Sequence, residues 1–140
     1  MGNLTQFNGK YAVITGGTQG LGKATARLFA ERGASGLVIC GRNSTRGEAV
    51  ASELTGQGCP TYFVRADLAQ LDDCAAVLAR ADQAFGRVDI LVNAAGNTER
   101  GSLLNTSPEL FDRIYAVNVR APFFLMQTAV KIMQREKTAG

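Results

Sequence analysis

At 140 residues, 46% hydrophobic and 19% charged, the chain has the makeup of one globular domain long enough to bury a core. Its net charge of +3 is spread without any block of Lys or Arg, and no apolar run approaches membrane-spanning length, so neither a nucleic-acid partner nor a membrane is expected. Histidine is absent and the three cysteines form no Cys-x-x-Cys pair, which excludes a Ser-His-Asp triad and an imidazole base and argues against a metal site or a disulfide framework.

Met1–Lys10 lacks a basic region followed by an apolar one, so no signal peptide is expected. The reading is a cytoplasmic chain with reduced thiols, Cys40 and Cys74 facing the core. Tyr11–Thr15 is a partly β-branched run of strand length that leads straight into Gly16, Gly20 and Gly22, and a helical pattern follows over Leu21–Arg32. Strand, glycine loop and helix bring backbone amides and a helix N-terminus up to an anionic phosphate. Gly16 is placed for the sharp turn, Gly20 for the approach of a pyrophosphate, and Gly22 for close helix packing. The spacing is Gly-x3-Gly-x-Gly rather than the commoner Gly-x-Gly-x-x-Gly, and a plain tight βα connection could use the same glycines. It is not a Walker loop, because Lys23 follows the last glycine with no Gly-Lys-Ser/Thr.

The second strand candidate is Leu37–Cys40, followed by a helix over Thr45–Leu54. An acid at this strand end would favour NAD; the chain has Gly41-Arg42-Asn43 instead. The planar guanidinium of Arg42 suits a 2′-phosphate, which favours NADP over NAD, with Asn43, Ser44 or Arg46 assisting. The plainer alternative is a solvated loop charge, since Gln19 stands in the glycine loop where a second cation would have helped. After the third strand, Tyr62–Arg65, comes Ala66-Asp67-Leu68. Asp67 can accept from an adenine amino group, or simply serve the turn. A helix over Leu71–Phe85 presents Leu71, Cys74, Ala75, Leu78, Ala81 and Phe85 on one face. Gly33 and Gly86 sit where helices end.

The fourth strand, Ile90–Asn93, runs into Ala94-Ala95-Gly96, small residues that let backbone and ligand approach closely. Asn93 is suited to tie this turn to its neighbours, with Ala94–Gly96 as a floor for a ribose. A loop, Asn97–Thr106, precedes a helix opened by Ser107-Pro108-Glu109 and running to about Met133, with Leu110, Ile114, Val117, Ala121, Leu125, Thr128 and Ile132 inward. Pro122 has no N–H, so a kink with a free carbonyl at Asn118 is expected, either absorbed by packing or satisfied by water. Strands and helices alternate throughout, which reads as a doubly wound α/β fold, a parallel sheet with helices on both faces.

Thr15-Gly16-Gly17-Thr18-Gln19-Gly20-Leu21-Gly22, Asp67, Asn93-Ala94-Ala95-Gly96 and Val117-Asn118-Val119 together resemble the short-chain dehydrogenases/reductases. They occur in that family's order and approximate spacing over essentially the whole chain, though Ala94 stands where the family often has Asn or Cys. The resemblance implies a Rossmann fold and hydride transfer between a nicotinamide cofactor and a small carbonyl or alcohol substrate. It seats the nucleotide on Gly16, Thr18, Gln19, Gly20, Leu21, Gly22, Arg42, Asp67, Leu68, Asn93, Ala94 and Gly96. It also gives the Asn118 main-chain carbonyl a water in a proton relay, and implies a homo-oligomer, dimer or tetramer, built on the long helix.

One departure is serious. The family's proton donor is a Tyr with a Lys four residues on, but Tyr11, Tyr62 and Tyr115 are followed at that distance by Thr15, Ala66 and Val119. Family members run to about 250 residues, so the 140 residues are expected to be the N-terminal, NADP-binding portion of a single-domain enzyme. On that reading the chain alone is inactive and its fourth strand is an exposed apolar edge. The alternatives are a non-catalytic NADP(H)-binding sensor or scaffold, or a methyltransferase domain, which would want an acid where Gly41-Arg42 stands. The substrate is not readable.

Overall fold

The order of elements follows the alternation of apolar runs and helical stripes. In the structure, a computed structural model that describes residues 5–140, these are β1 (Tyr11–Thr15), α1 (Gly20–Glu31), β2 (Gly36–Gly41), α2 (Ser44–Gly56), β3 (Thr61–Arg65), α3 (Leu71–Phe85) and β4 (Ile90–Asn93). The last helical path divides into α4 (Pro108–Tyr115), a π-helical turn (Ala116–Arg120) and α5 (Ala121–Glu136). Met1–Leu4, part of the stretch on which the signal-peptide expectation rests, lie outside the described residues.

All pairings are parallel and the strand order is β3-β2-β1-β4. The chain winds outward from β1 to β3, then crosses back to place β4 on the other side of β1. That reversal opens a crevice at the carboxyl ends of β1 and β4, the place where open α/β sheets bind ligands. Successive side chains along a strand point to opposite faces. Ala12, Ile14, Leu37 and Ile39 accordingly pack with Ala26, Val50 and Leu54 of α1 and α2. Val13, Val38 and Cys40 pack with Val77, Leu78, Leu125 and Ala129 of α3 and α5 on the other face. Each fully buried Leu or Val there contributes about 1.5–3 kcal/mol.

The helix signals worked locally. At the end of α1, Gly33 has φ +84°, and Ala34 N–H donates to the Phe29 carbonyl at 3.0 Å, closing the last turn. Gly86 caps α3 with φ +67°. On α3, Leu71 and Ala75 are exposed rather than inward, and Val77 takes the buried position, because the packed face is set by α5 and not by the helix start. All three cysteines are buried and free, Cys59 included. The long helix answers Pro122 with a change of helical pitch. Pro122 falls in the first turn of α5, where a missing N–H costs little. The accommodation is one widened turn before it, in which Ala121 N–H donates to the Ala116 carbonyl five residues back.

At the amino ends of β1 and β4, the opposite end of the strands from the crevice, Asp89 is 3% exposed. Its carboxylate accepts from Tyr11 N–H at 2.9 Å and from Arg87 Nε at 3.1 Å, with a second contact from Arg87 Nη2. Burial alone would raise its pKa, but Arg87 and the Tyr11 amide together outweigh that and hold the carboxyl below its usual range. Such a group stabilises the fold above its unfolded pKa of about 3.9, and this contribution is lost as pH falls through the lowered folded value. Asp89→Ala is expected to cost about 2–3 kcal/mol in urea unfolding at pH 7. The gap between wild type and variant should narrow below about pH 4; a constant gap would show that Asp89 does not act through its charge.

Candidate functional site

Thr15, the last residue of β1, is 1% exposed, and its hydroxyl accepts from Ala95 N–H at 3.2 Å. That contact ties the glycine turn to the exit of β4, a tie for which Asn93 is also suited by its side chain. Asn93 is instead exposed at the end of the edge strand, and its amide makes no hydrogen bond among the described residues. Gly16 then turns with φ +66°, and a Cβ there would meet Ala95 Cα at 2.9 Å. Gly22 lies even closer to the turn, since a Cβ would stand 2.1 Å from the Gly16 carbonyl oxygen. Gly20 has φ +53° and nothing within 4 Å of its open side. The amides at the start of α1 therefore face unfilled space, a cradle suited to an anion.

This space belongs to a cavity of about 470 Å³ lined by Gly16, Thr18, Gln19, Gly20, Leu21 and Gly22, and by the ends of β2, β3 and β4. At β2, Thr18 packs against Gly41, where a Cβ would come within 2.9 Å of its hydroxyl. Cys40 also lines the cavity, and burial pushes its thiol up to about 12, so it is no thiolate nucleophile. Arg42 is exposed at the rim with no hydrogen-bond or ion-pair partner among the described residues. Arg46 reaches from α2 to donate to the Gln19 side chain, bringing a second guanidinium beside the glycine loop. Asn43 Oδ1 is occupied, since it accepts from Arg46 N–H at 2.9 Å and caps α2.

Beyond β3, Asp67 and the nearly buried Leu68 form the next wall. The Asp67 backbone N–H donates to Asp73 Oδ2 at 2.7 Å, and its Oδ1 accepts from Ala69 N–H at 3.0 Å. Its other oxygen faces Arg113 of α4 at 3.6 Å. At the β4 exit, Ala94, Ala95 and Gly96 line the cavity floor. Asn118 does not line it, but its side chain holds the loop that does. Asn118 Nδ2 donates to the Asn97 carbonyl at 2.9 Å, and Asn97 N–H donates to Asn118 Oδ1 at 2.7 Å.

Sequence reasoning thus missed three contributors, Thr15 as a clamp, Asn97 as the partner of Asn118, and Arg113 as a wall. Arg113 had a signal, because it lies one helical turn before Val117, which was already placed inward. The other two depend on contacts between residues 80 and 21 positions apart. Among the described residues no group of three or more His, Cys, Asp or Glu could hold a metal ion.

A parallel sheet wound this way, with a glycine turn opening at its switch point, defines a Rossmann-like α/β protein. Comparison with known proteins fixes the family, since residues 10–140 match the family model described as short chain dehydrogenase, and the chain belongs to that family. It is 38% identical over 130 residues to an uncharacterized oxidoreductase of Thermotoga maritima, covering 93% of this chain and 51% of that protein. A metagenomic short-chain oxidoreductase solved in complex with NADP is 33% identical, with a TM-score of 0.86 over 94% of this chain and 60% of that one. A short-chain dehydrogenase from Sphingobium yanoikuyae in complex with NADPH is 30% identical, with a TM-score of 0.83 over 92% of this chain and 50% of that one. The chain spans about half the length of the curated relatives it matches.

Proposed function

We propose that the chain forms the NADP-binding portion of a short-chain oxidoreductase that moves hydride between a nicotinamide and a carbonyl or alcohol substrate. The observation that carries this reading is the open cradle beside Gly20 at the start of α1, with the unpartnered Arg42 at its rim. When bound, the nicotinamide supplies the hydride acceptor or donor. The residues of this chain seat it, with Gly16–Gly22 receiving the pyrophosphate and Ala94–Gly96 lying under a ribose. Arg42 favours NADP over NAD, and Arg46 adds charge close by. Asn118 keeps the loop after β4 in place, and its main-chain carbonyl, which Pro122 cannot serve as an α-helical donor, holds a water of the proton relay.

Phe111, Tyr115, Val119, Phe123, Met126 and Val130 are all about half exposed along α4, the π turn and α5. An apolar stripe of this length supports a homo-oligomer packed on these helices in the whole enzyme. No described helix is long and apolar enough to cross a membrane.

Titrating the purified protein with NADPH and following nicotinamide fluorescence tests the reading. Saturable binding at micromolar concentrations is expected, tighter than for NADH, with no steady-state ketone reduction because the sequence holds no Tyr-x-x-x-Lys. Absence of saturable binding would overturn it. A second reading, a non-catalytic NADP(H) sensor or scaffold, rests on the same open cradle and Arg42. That reading requires the 140 residues to be monodisperse in solution, and aggregation through the β4 edge would count against it.

A further inference from the structure

The charged side chains that line the cavity are Arg42, Asp67, Glu99 and Arg113, and they are distributed with a polarity. Asp67, after β3, and Arg113 face each other at 3.6 Å and offset one another. Arg42 stands at the β2 end, and Arg46 is drawn up to Gln19 on the same side. Glu99 stands at the other end, past the exit of β4, and its carboxylate has no hydrogen-bond or ion-pair partner among the described residues. The backbone that carries it is fixed. Glu99 N–H donates to Asn97 Oδ1 at 2.9 Å, and Asn97 is bonded through both its N–H and its carbonyl to the Asn118 side chain of the π turn. The carboxylate is thus carried on an anchored turn at the cavity wall.

A cationic end beyond β2 and an anionic end beyond β4 match one redox form of the dinucleotide better than the other. NADP+ carries phosphate at its adenosine end and a positively charged ring at its nicotinamide end. NADPH keeps the phosphate, but its ring is neutral. With a 2′-phosphate against Arg42 and the pyrophosphate at the α1 amides beside Gly20, the nicotinamide half extends toward β4, the side on which Glu99 stands. We propose that Glu99 is a specificity-determining residue for the redox state of the cofactor, its carboxylate favouring the cationic ring of NADP+ over the neutral ring of NADPH. This rests on the reading of the cavity as a nicotinamide dinucleotide site and adds which form that site retains. Opposite charges several ångströms apart at a partly solvated surface change an affinity by roughly three- to tenfold. Glu99 is exposed, so the effect belongs at the lower end of that range and weakens with salt. By linkage, a ring held more tightly when oxidised is harder to reduce while it is bound.

The test titrates wild type, Glu99→Gln, Glu99→Lys and Arg100→Gln with NADP+ and with NADPH by calorimetry, at low and at moderate ionic strength. The quantity read is the ratio of the two dissociation constants. Glu99→Gln should weaken NADP+ about threefold and leave NADPH unchanged, and Glu99→Lys should shift the ratio about tenfold in the same direction. Both shifts should shrink as salt is added. Arg100→Gln changes the adjacent charge, which does not line the cavity, and should leave the ratio as it is. Equal weakening of both nucleotides in Glu99→Gln would reveal a purely structural role and overturn the inference. An unchanged ratio in both Glu99 variants would overturn it too, as would a shift of comparable size in Arg100→Gln, the mark of net charge acting from any position. Failure of wild type to bind either nucleotide is a separate result, which would overturn the dinucleotide reading and this inference with it.

Discussion

Gly22→Ala is expected to disrupt both the fold around the glycine turn and any nucleotide binding. The added methyl would stand 2.1 Å from the Gly16 carbonyl oxygen and 2.6 Å from its carbon, and both are backbone atoms. Neither can move alone, because Gly16 is itself closed against Ala95, which hangs from the Thr15 hydroxyl. Relief therefore requires α1 to lift from the sheet or the turn to reopen. Either change separates the α1 amides from the place where a phosphate would sit. A loss of about 3 kcal/mol is expected, at the upper end for overpacking. That corresponds to a fall in Tm of roughly 10 °C for a chain of this size. Gly56→Ala is the control, since nothing lies within 4 Å of its Cβ position and it closes α2. Helix propensity predicts no loss there. Comparable Tm values for the two variants would mean that the close contact at Gly22 does not govern the turn.

Arg42→Asp is expected to reverse the cofactor preference. Arg42 stands at the rim beyond β2 with no counter-charge paired to it among the described residues, so a 2′-phosphate would be its natural counter-charge. Replacing it with a carboxylate removes a charge-assisted pair and adds a like charge beside the phosphate. NADPH affinity should fall about a hundredfold. NADH, which presents ribose hydroxyls there, should bind as well or better, because an acid at this position accepts from them. Arg46 remains in the variant, held by Gln19, so NADPH binding is expected to weaken without vanishing. An unchanged ratio of NADPH to NADH affinity would place Arg42 among the solvated surface charges.

The turn chemistry and the strand–helix alternation were legible because they are local. Tyr11–Thr15 and Ile90–Asn93 are strands with the boundaries their apolar runs suggest, and α3 covers the residues its periodicity marks. Gly33 and Gly86 carry the left-handed conformations that their positions after helices implied. The missing N–H of Pro122 was equally plain, but its consequence was not. Whether a helix answers a proline by breaking or by widening one turn depends on what it packs against, and here α5 is held by α3 and the sheet through Ala121, Leu125, Ala129 and Ile132.

Composition and short-range spacing determined the class of this protein, its glycine turn and the absence of a Tyr-x-x-x-Lys, since each of these is written within a few consecutive residues. The tertiary structure alone decided that Thr15 and Asn118, rather than Asn93, hold the β4 exit, and that Arg113 meets Asp67 across the cavity. Those contacts join residues that become neighbours only when parallel strands and a distant helix pack together, and no local pattern of side chains records where such surfaces will meet.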